Sequence, residues 1–207
     1  MRQPVSTPTH LWIVAPRKRF GLGKWTLRFS ILCVLTIVSD RTKSDILSIA
    51  WKCAAGSYDP SCPMQMKGYD LRPCRAIKPS LDGTIKSTVM TIVEPSGSSI
   101  QPAARFPLLV VAVRGSGSVV DHMVNLNISP RSTEDFISPE LEAHAGFLAG
   151  ARVLESEITK TINQTFHAGG IKEVLFTGHS AGAAVASILF MHYRVHGLNG
   201  KLSVIDI

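Results

Sequence analysis

Gly178-His179-Ser180-Ala181-Gly182 has the spacing G-x-S-x-G. That spacing suits one kind of chemistry. A sharp strand-to-helix turn holds a serine in a strained conformation with its hydroxyl projecting, and the two glycines let neighbouring backbone pass close by. The serine then sits at a helix N-terminus, where peptide N–H groups face a developing oxyanion. Ser180 is therefore a candidate nucleophile for acyl transfer.

A serine hydroxyl is a weak nucleophile without a general base, and the base needs an acid to orient it. With such a turn the chain order is serine, acid, histidine. After Ser180 the sequence offers His192, His196 and one acid, Asp206, with no histidine beyond it. His192 and His196 lie one turn apart on the helix expected to start at Ser180, roughly 18–24 Å along its axis. They read as packing or surface histidines. His179 belongs to the turn itself, and Asp206 falls inside an expected strand rather than beyond its carboxyl end. His122 and His144 precede the serine.

The elements that must position Ser180 are legible on both sides. "KEVLFTG" (172–178) is a short apolar strand, and "SAGAAVASILFMHYRVHG" (180–197) is a helix ended by Gly197. "FPLLVVAVRG" (106–115) is an apolar run of strand length, suited to a central strand buried on both faces. Between them, from Pro139 to about His167, apolar residues recur at spacings of three and four, the pattern of one helix face, with Gly169-Gly170 as the stop. Residues 84–94 alternate as a strand, residues 44–54 read as a helix, residues 56–83 as mostly loop, and "KLSVIDI" (201–207) as a further strand. This alternation predicts an α/β fold, a mostly parallel sheet with flanking helices. Sites in such sheets lie at the carboxyl ends of strands. Two segments qualify, residues 114–118 and 178–182.

Composition sets the frame. Apolar residues make up 45% and charged residues 18% of 207, as expected of a folded chain with a core. The net charge of +7 is uneven: residues 1–52 hold nine of the 22 Lys/Arg and two of the 15 acids, leaving thirteen of each for residues 53–207. A neutral body argues against nucleic-acid binding. The basicity belongs to an N-terminal segment, residues 1–43, set apart from a domain over residues 44–207. Its apolar stretch, residues 29–38, is too short to span a membrane. It has the length of a signal-peptide core, yet "IVSDRTK" supplies no small-x-small cleavage site, and an amphipathic helix at the domain edge is the alternative. The segment leaves peripheral contact with a membrane or lipid interface open. Cys33, Cys53, Cys62 and Cys74 form no C-x-x-C pair and no zinc pattern, and three in one cluster leave one over, so no bridge is assigned.

Three blocks together resemble the fungal-type triacylglycerol lipases, the class 3 lipase family of α/β-hydrolases. "VVAVRGSGSVVDHMVNLN" (110–127) is similar to the family's strand followed by R-G-[ST]-x-S and a D/N-W-x-x-D-L segment. "AHAGFLAGA" (143–151) is similar to its H-x-G-F helix, and "VLFTGHSAGAAVASILF" (174–190) to its G-H-S-L-G-G-A elbow. The resemblance implies an α/β-hydrolase fold and hydrolysis of carboxylic esters, acylglycerols foremost, without metal or cofactor. It implies that Ser180 is the nucleophile and that the backbone N–H of Ala181 and Ser116, through N–H and hydroxyl, form the oxyanion hole. Residues 119–126 fall where the family carries a mobile lid, and His144, Gly146 and Phe147 are helix-packing signatures.

Four positions depart from the family pattern. Ala181 replaces Leu, Ala183 replaces Gly, His122 holds the lid tryptophan position and Asn125 an Asp position. The resemblance also sets an expectation about extent: the chain holds the nucleophile half of a lipase, lacks the acid–base half and the last strands and helices, and reads as truncated at the C-terminus. The alternative is an inactive remnant that binds lipid or a partner. Neither composition nor resemblance selects an oligomeric state or a compartment.

Overall fold

A computed structural model describes residues 15–16, 43–59, 64–96, 107–117, 125–126, 128–197 and 203–206. The expected apolar stretch at 29–38, Cys33, Cys62, Ser118 and His122 lie outside them, as does most of the 119–126 segment.

In chain order the elements are β1 (Ala15–Pro16), α1 (Lys43–Gly56), β2 (Tyr69–Ile77), β3 (Thr88–Pro95), β4 (Leu108–Val113), β5 (Pro130–Ser132) and β6 (Leu141–His144). Then follow α2 (Ala145–Gly169), β7 (Glu173–Gly178), α3 (Ala181–His196) and β8 (Ser203–Asp206). The main sheet has the order β2-β3-β4-β7-β8, and a small sheet joins β1-β6-β5. The main sheet is mixed. β2 and β3 run antiparallel to their neighbours, whereas β4-β7 and β7-β8 are parallel. Parallel pairing thus occupies the half that carries Ser180.

Side-chain alternation along β4 builds three layers. Leu108, Val110 and Ala112, with Leu175 of β7, pack against Ile46, Ile49, Ala50 and Cys53 of α1. Leu109, Val111 and Val113, with Val174 and Phe176, pack on the opposite face against Leu148, Leu154 and Ile158 of α2 and Val185 and Leu189 of α3. Every residue of β4 is buried, as the unbroken apolar run requires. Each such Leu, Ile or Val contributes about 1.5–3 kcal/mol on leaving water. In α2 the fully buried positions Leu148, Ala151, Leu154, Ile158 and Ile162 keep the three-and-four spacing of its sequence.

Two local expectations change. The helix expected from Pro139 begins at Ala145, because residues 142–144 pair with β5 instead and His144 caps the helix. Residues 69–77, expected as loop, form edge strand β2. Pro73 and the charged Asp70, Arg72 and Arg75 hide it in the sequence, but an edge strand with one neighbour and an exposed face tolerates them, and the register slips between Pro73 and Arg75. Gly170 ends α2 in the left-handed conformation, φ 65°, with its N–H donating to Phe166 O, as the sequence suggested.

Candidate active site

Parallel pairing matches Val113 of β4 with Gly178 of β7. Both strands therefore end at one level, and their following loops run side by side. The N–H of His179 donates to Val113 O, tying the second loop to the end of β4, and the N–H of Arg114 donates to Ser87 O at 2.8 Å, tying the first loop to the residue before β3.

Three glycines set the closeness of this crossing. A Cβ on Gly178 would stand 2.5 Å from the carbonyl carbon of Gly182. One on Gly182 would collide with the carbonyls of Val113 and Arg114, and one on Gly115 would lie 2.5 Å from His179 O and 3.3 Å from the Cβ of Ser180. Backbone atoms occupy the space in each case, so no side-chain rotation relieves the clash.

Ser180 caps α3 with φ 55° and ψ −125°, and among the described residues it alone, glycines aside, has positive φ. A residue with a Cβ stays in that region at a cost of about 1–3 kcal/mol unless its surroundings dictate it. Its side chain makes no capping hydrogen bond and is exposed. A strained, exposed serine at the head of a 16-residue helix is what the G-x-S-x-G spacing predicts. The next residue, Ala181, is buried and opens the helix, among the N–H groups that lack a partner within it.

Ser116 sits half-buried in the loop after β4 and follows Gly115, which packs against Ser180. Its Oγ accepts a 2.6 Å hydrogen bond from Asn125 Nδ2. Asn125 is in turn held by His144, whose Nε2 lies 3.0 Å from Asn125 O while its Nδ1 accepts from Phe147 N–H at 3.4 Å. The His144 ring stacks on Phe147 with centroids 4.0 Å apart. His144 thus does more than the packing expected of it.

The other histidines are engaged away from the serine hydroxyl. His192 Nδ1 and His196 Nε2 both meet the carbonyl of Phe136, at 2.6 and 3.0 Å, towards the far end of α3. His192 also stacks on Phe136 and lies 3.8 Å from Glu155. Both are structural, as their place on the helix implied. His179 Nδ1 shares a 2.8 Å hydrogen bond with the Tyr58 hydroxyl. Tyr58, just after α1, is a site residue the sequence does not disclose, since 121 positions separate it from His179. Asp206 closes β8 opposite Phe176, two residues short of Gly178. Among the described residues no histidine hydrogen-bonds to Ser180, and no cluster of His, Cys, Asp or Glu is suited to a metal. Cys53 and Cys74 are unbridged. No helix among the described residues is long and apolar enough to cross a membrane.

With this geometry in hand, residues 110–205 match the family model Lipase (class 3), spanning both loops, the crossover helix and the elbow. Over these residues the chain is similar to the class 3 lipases. Solved lipases bear out the α/β-hydrolase fold. A fungal lipase–inhibitor complex is 21% identical with TM-score 0.54, over 79% of this chain and 62% of that one. A Rhizomucor miehei lipase–propeptide complex, a deletion mutant, is 20% identical with TM-score 0.54, over 80% and 52%. The Penicillium expansum triacylglycerol lipase is 16% identical with TM-score 0.54, over 76% and 56%. The chain thus spans between 52% and 62% of the length of these structures. Comparison by sequence with curated proteins gives no match.

Proposed function

We propose that this chain, a member of the class 3 lipase family by its similarity over residues 110–205, carries the nucleophile half of a serine hydrolase site for carboxylic esters, acylglycerols foremost. Ser180 attacks the ester carbonyl. The backbone N–H of Ala181 and the N–H and hydroxyl of Ser116 receive the oxyanion, each donor typically contributing about 2.7–4 kcal/mol to the transition state. The base and its acid come from outside the described residues. Residues 44–207 are the hydrolase body, and residues 1–43 a basic segment for targeting or for peripheral contact with a lipid interface.

The observation that carries this reading is the backbone of Ser180, φ 55° and ψ −125°, at an exposed helix start pressed against Gly115. A serine kept there only for packing would gain from a relaxed conformation. A fluorophosphonate probe tests it. Labelling of Ser180, abolished in Ser180→Ala, is the expected result. Labelling at other residues, with Ser180 untouched in folded protein, rejects Ser180 as nucleophile.

A second reading, a lipid- or partner-binding chain without turnover, is favoured by the histidines. His144, His179, His192 and His196 each commit ring nitrogens to partners other than Ser180. Folded protein that sediments with triolein emulsion yet takes no probe favours this second reading.

A further inference from the structure

We infer that His192, His196 and the main-chain carbonyl of Phe136 form a binding site for one divalent transition-metal ion, Zn²⁺ foremost, away from Ser180. Among the described residues no three His, Cys, Asp or Glu side chains make such a site. Here the third donor is a carbonyl oxygen, and a water completes the four positions that zinc favours. Imidazole nitrogen with oxygen suits zinc, nickel and copper(II) alike.

Helix spacing supplies the pair. His192 and His196 stand four residues apart on α3 and so share one face. Their ring centroids lie 4.8 Å apart. Nδ1 of His192 and Nε2 of His196 converge on one atom, Phe136 O, at 2.6 and 3.0 Å. Two ligands each about 2.1 Å from one zinc ion stand roughly 3.0–3.4 Å apart. The His196 contact already has that spacing. The His192 contact needs to open by about half an ångström, which a small tilt of its half-buried ring supplies.

Proton positions show what the ion replaces. A carbonyl oxygen only accepts, so in the metal-free chain His192 carries a proton on Nδ1 and His196 one on Nε2. Zn²⁺ takes the lone pair of each of those nitrogens, and the proton of each neutral ring moves to its other nitrogen. His192 Nε2–H then faces Glu155 Oε1, now 3.8 Å away. The Thr159 hydroxyl holds that oxygen at 2.7 Å, from the same helix α2. A carboxylate behind a ligating histidine fixes its tautomer and raises its basicity. Histidines that served only to bond a carbonyl would need no carboxylate there. The ion would join α3 to the turn before β6, with α2 supporting the ligand from behind.

The test uses the whole chain without an affinity tag, 15N-labelled at pH 7, with zinc chloride as the probe. The unfolding midpoint should rise with zinc and fall back on adding EDTA. NMR should show the ring proton of His192 moving from Nδ1 to Nε2, and that of His196 from Nε2 to Nδ1. His192→Asn and His196→Gln separate the ion from the hydrogen bonds. Each amide places an N–H near the nitrogen it replaces and so keeps a donor for Phe136 O. Both variants should unfold near the parent midpoint without zinc and lose the response to it. Glu155→Gln should weaken zinc binding about tenfold, as loss of a partner behind a ligand usually does. A folded parent whose midpoint ignores zinc overturns the inference, and so do ring protons that zinc leaves in place. An undiminished response in both histidine variants means an adventitious ion only and overturns it too. Equal zinc affinity in Glu155→Gln overturns the place given to that carboxylate.

Discussion

Gly182 packs face to face with the end of β4, so that a Cβ placed on it would lie 2.5 Å from Arg114 O and collide with Val113 O as well. This contact couples the first turn of α3 to the loop bearing Ser116. Placing alanine at a glycine inside a helix ordinarily stabilises by up to about 1 kcal/mol. Here the sign should reverse. Gly182→Ala is expected to lose about 2 kcal/mol, within the usual range for overpacking against a fixed backbone. Urea unfolding measures it, and a stabilised variant would show that the elbow yields easily.

Strain at Ser180 gives a second prediction. Ser180→Gly removes the Cβ that disfavours φ 55°. Relief of about 1–3 kcal/mol is partly offset by the extra freedom glycine brings to the unfolded chain, about 0.4–1 kcal/mol. The glycine variant should therefore be more stable than the parent by about 1 kcal/mol, and Ser180→Ala, which keeps the Cβ, should not. Calorimetry of the three proteins decides. Equal stability of the glycine and alanine variants would mean that Ser180 carries no backbone strain.

Alkaline stability should report on Cys53. Burial between α1 and the sheet pushes its thiol up from 9.0 to about 12, partly opposed by the Thr91 side chain. The folded chain keeps that proton at pH values where the unfolded chain has released it. Its contribution to stability is therefore constant below pH 9 and falls as pH rises from 9 towards 12. The slope expected from this group is about 1 kcal/mol per pH unit. In Cys53→Ala the slope in this window should be shallower, whatever the change in absolute stability. Denaturant unfolding at several pH values between 8 and about 11 tests this, and an unaltered slope would assign the alkaline loss to other groups.

Tyr58 offers a test of how far α1 reaches into the site. Its hydroxyl meets His179 Nδ1 at 2.8 Å and sits where a Cβ on Gly115 would go. The pair is exposed, so Tyr58→Phe should cost only about 0.5–1 kcal/mol of stability. A loss above about 2 kcal/mol would show that the hydroxyl anchors the elbow rather than merely touching it.

The layers were legible because burial writes itself into composition. The unbroken apolar run of β4 and the three-and-four spacing of α2 are direct consequences of which faces leave water. β2 was not legible, because an exposed edge strand has no such constraint and its Pro73 and arginines resemble loop. The start of α2 differs from the sequence pattern for a related reason: residues 141–144 carry a helix-like apolar spacing, but pairing with β1 and β5 supplies backbone partners that a helix would otherwise provide.

The candidate site divides in the same way. By itself the sequence determined that Ser180 stands on a strand-to-helix turn, that Ser116 follows a buried strand, and that His192 and His196 ride a helix away from it. Those are properties of short segments, set by local backbone preference and by spacing. Only the tertiary structure decided that Val113 and Gly178 end at one level, that Gly115 passes beside Ser180, that Tyr58 meets His179 and that His144 reaches Asn125. Each of those depends on strand register and on backbone atoms approaching too closely for any side chain. A linear pattern of residue types leaves a glycine as the trace of such an approach, without saying what lies against it.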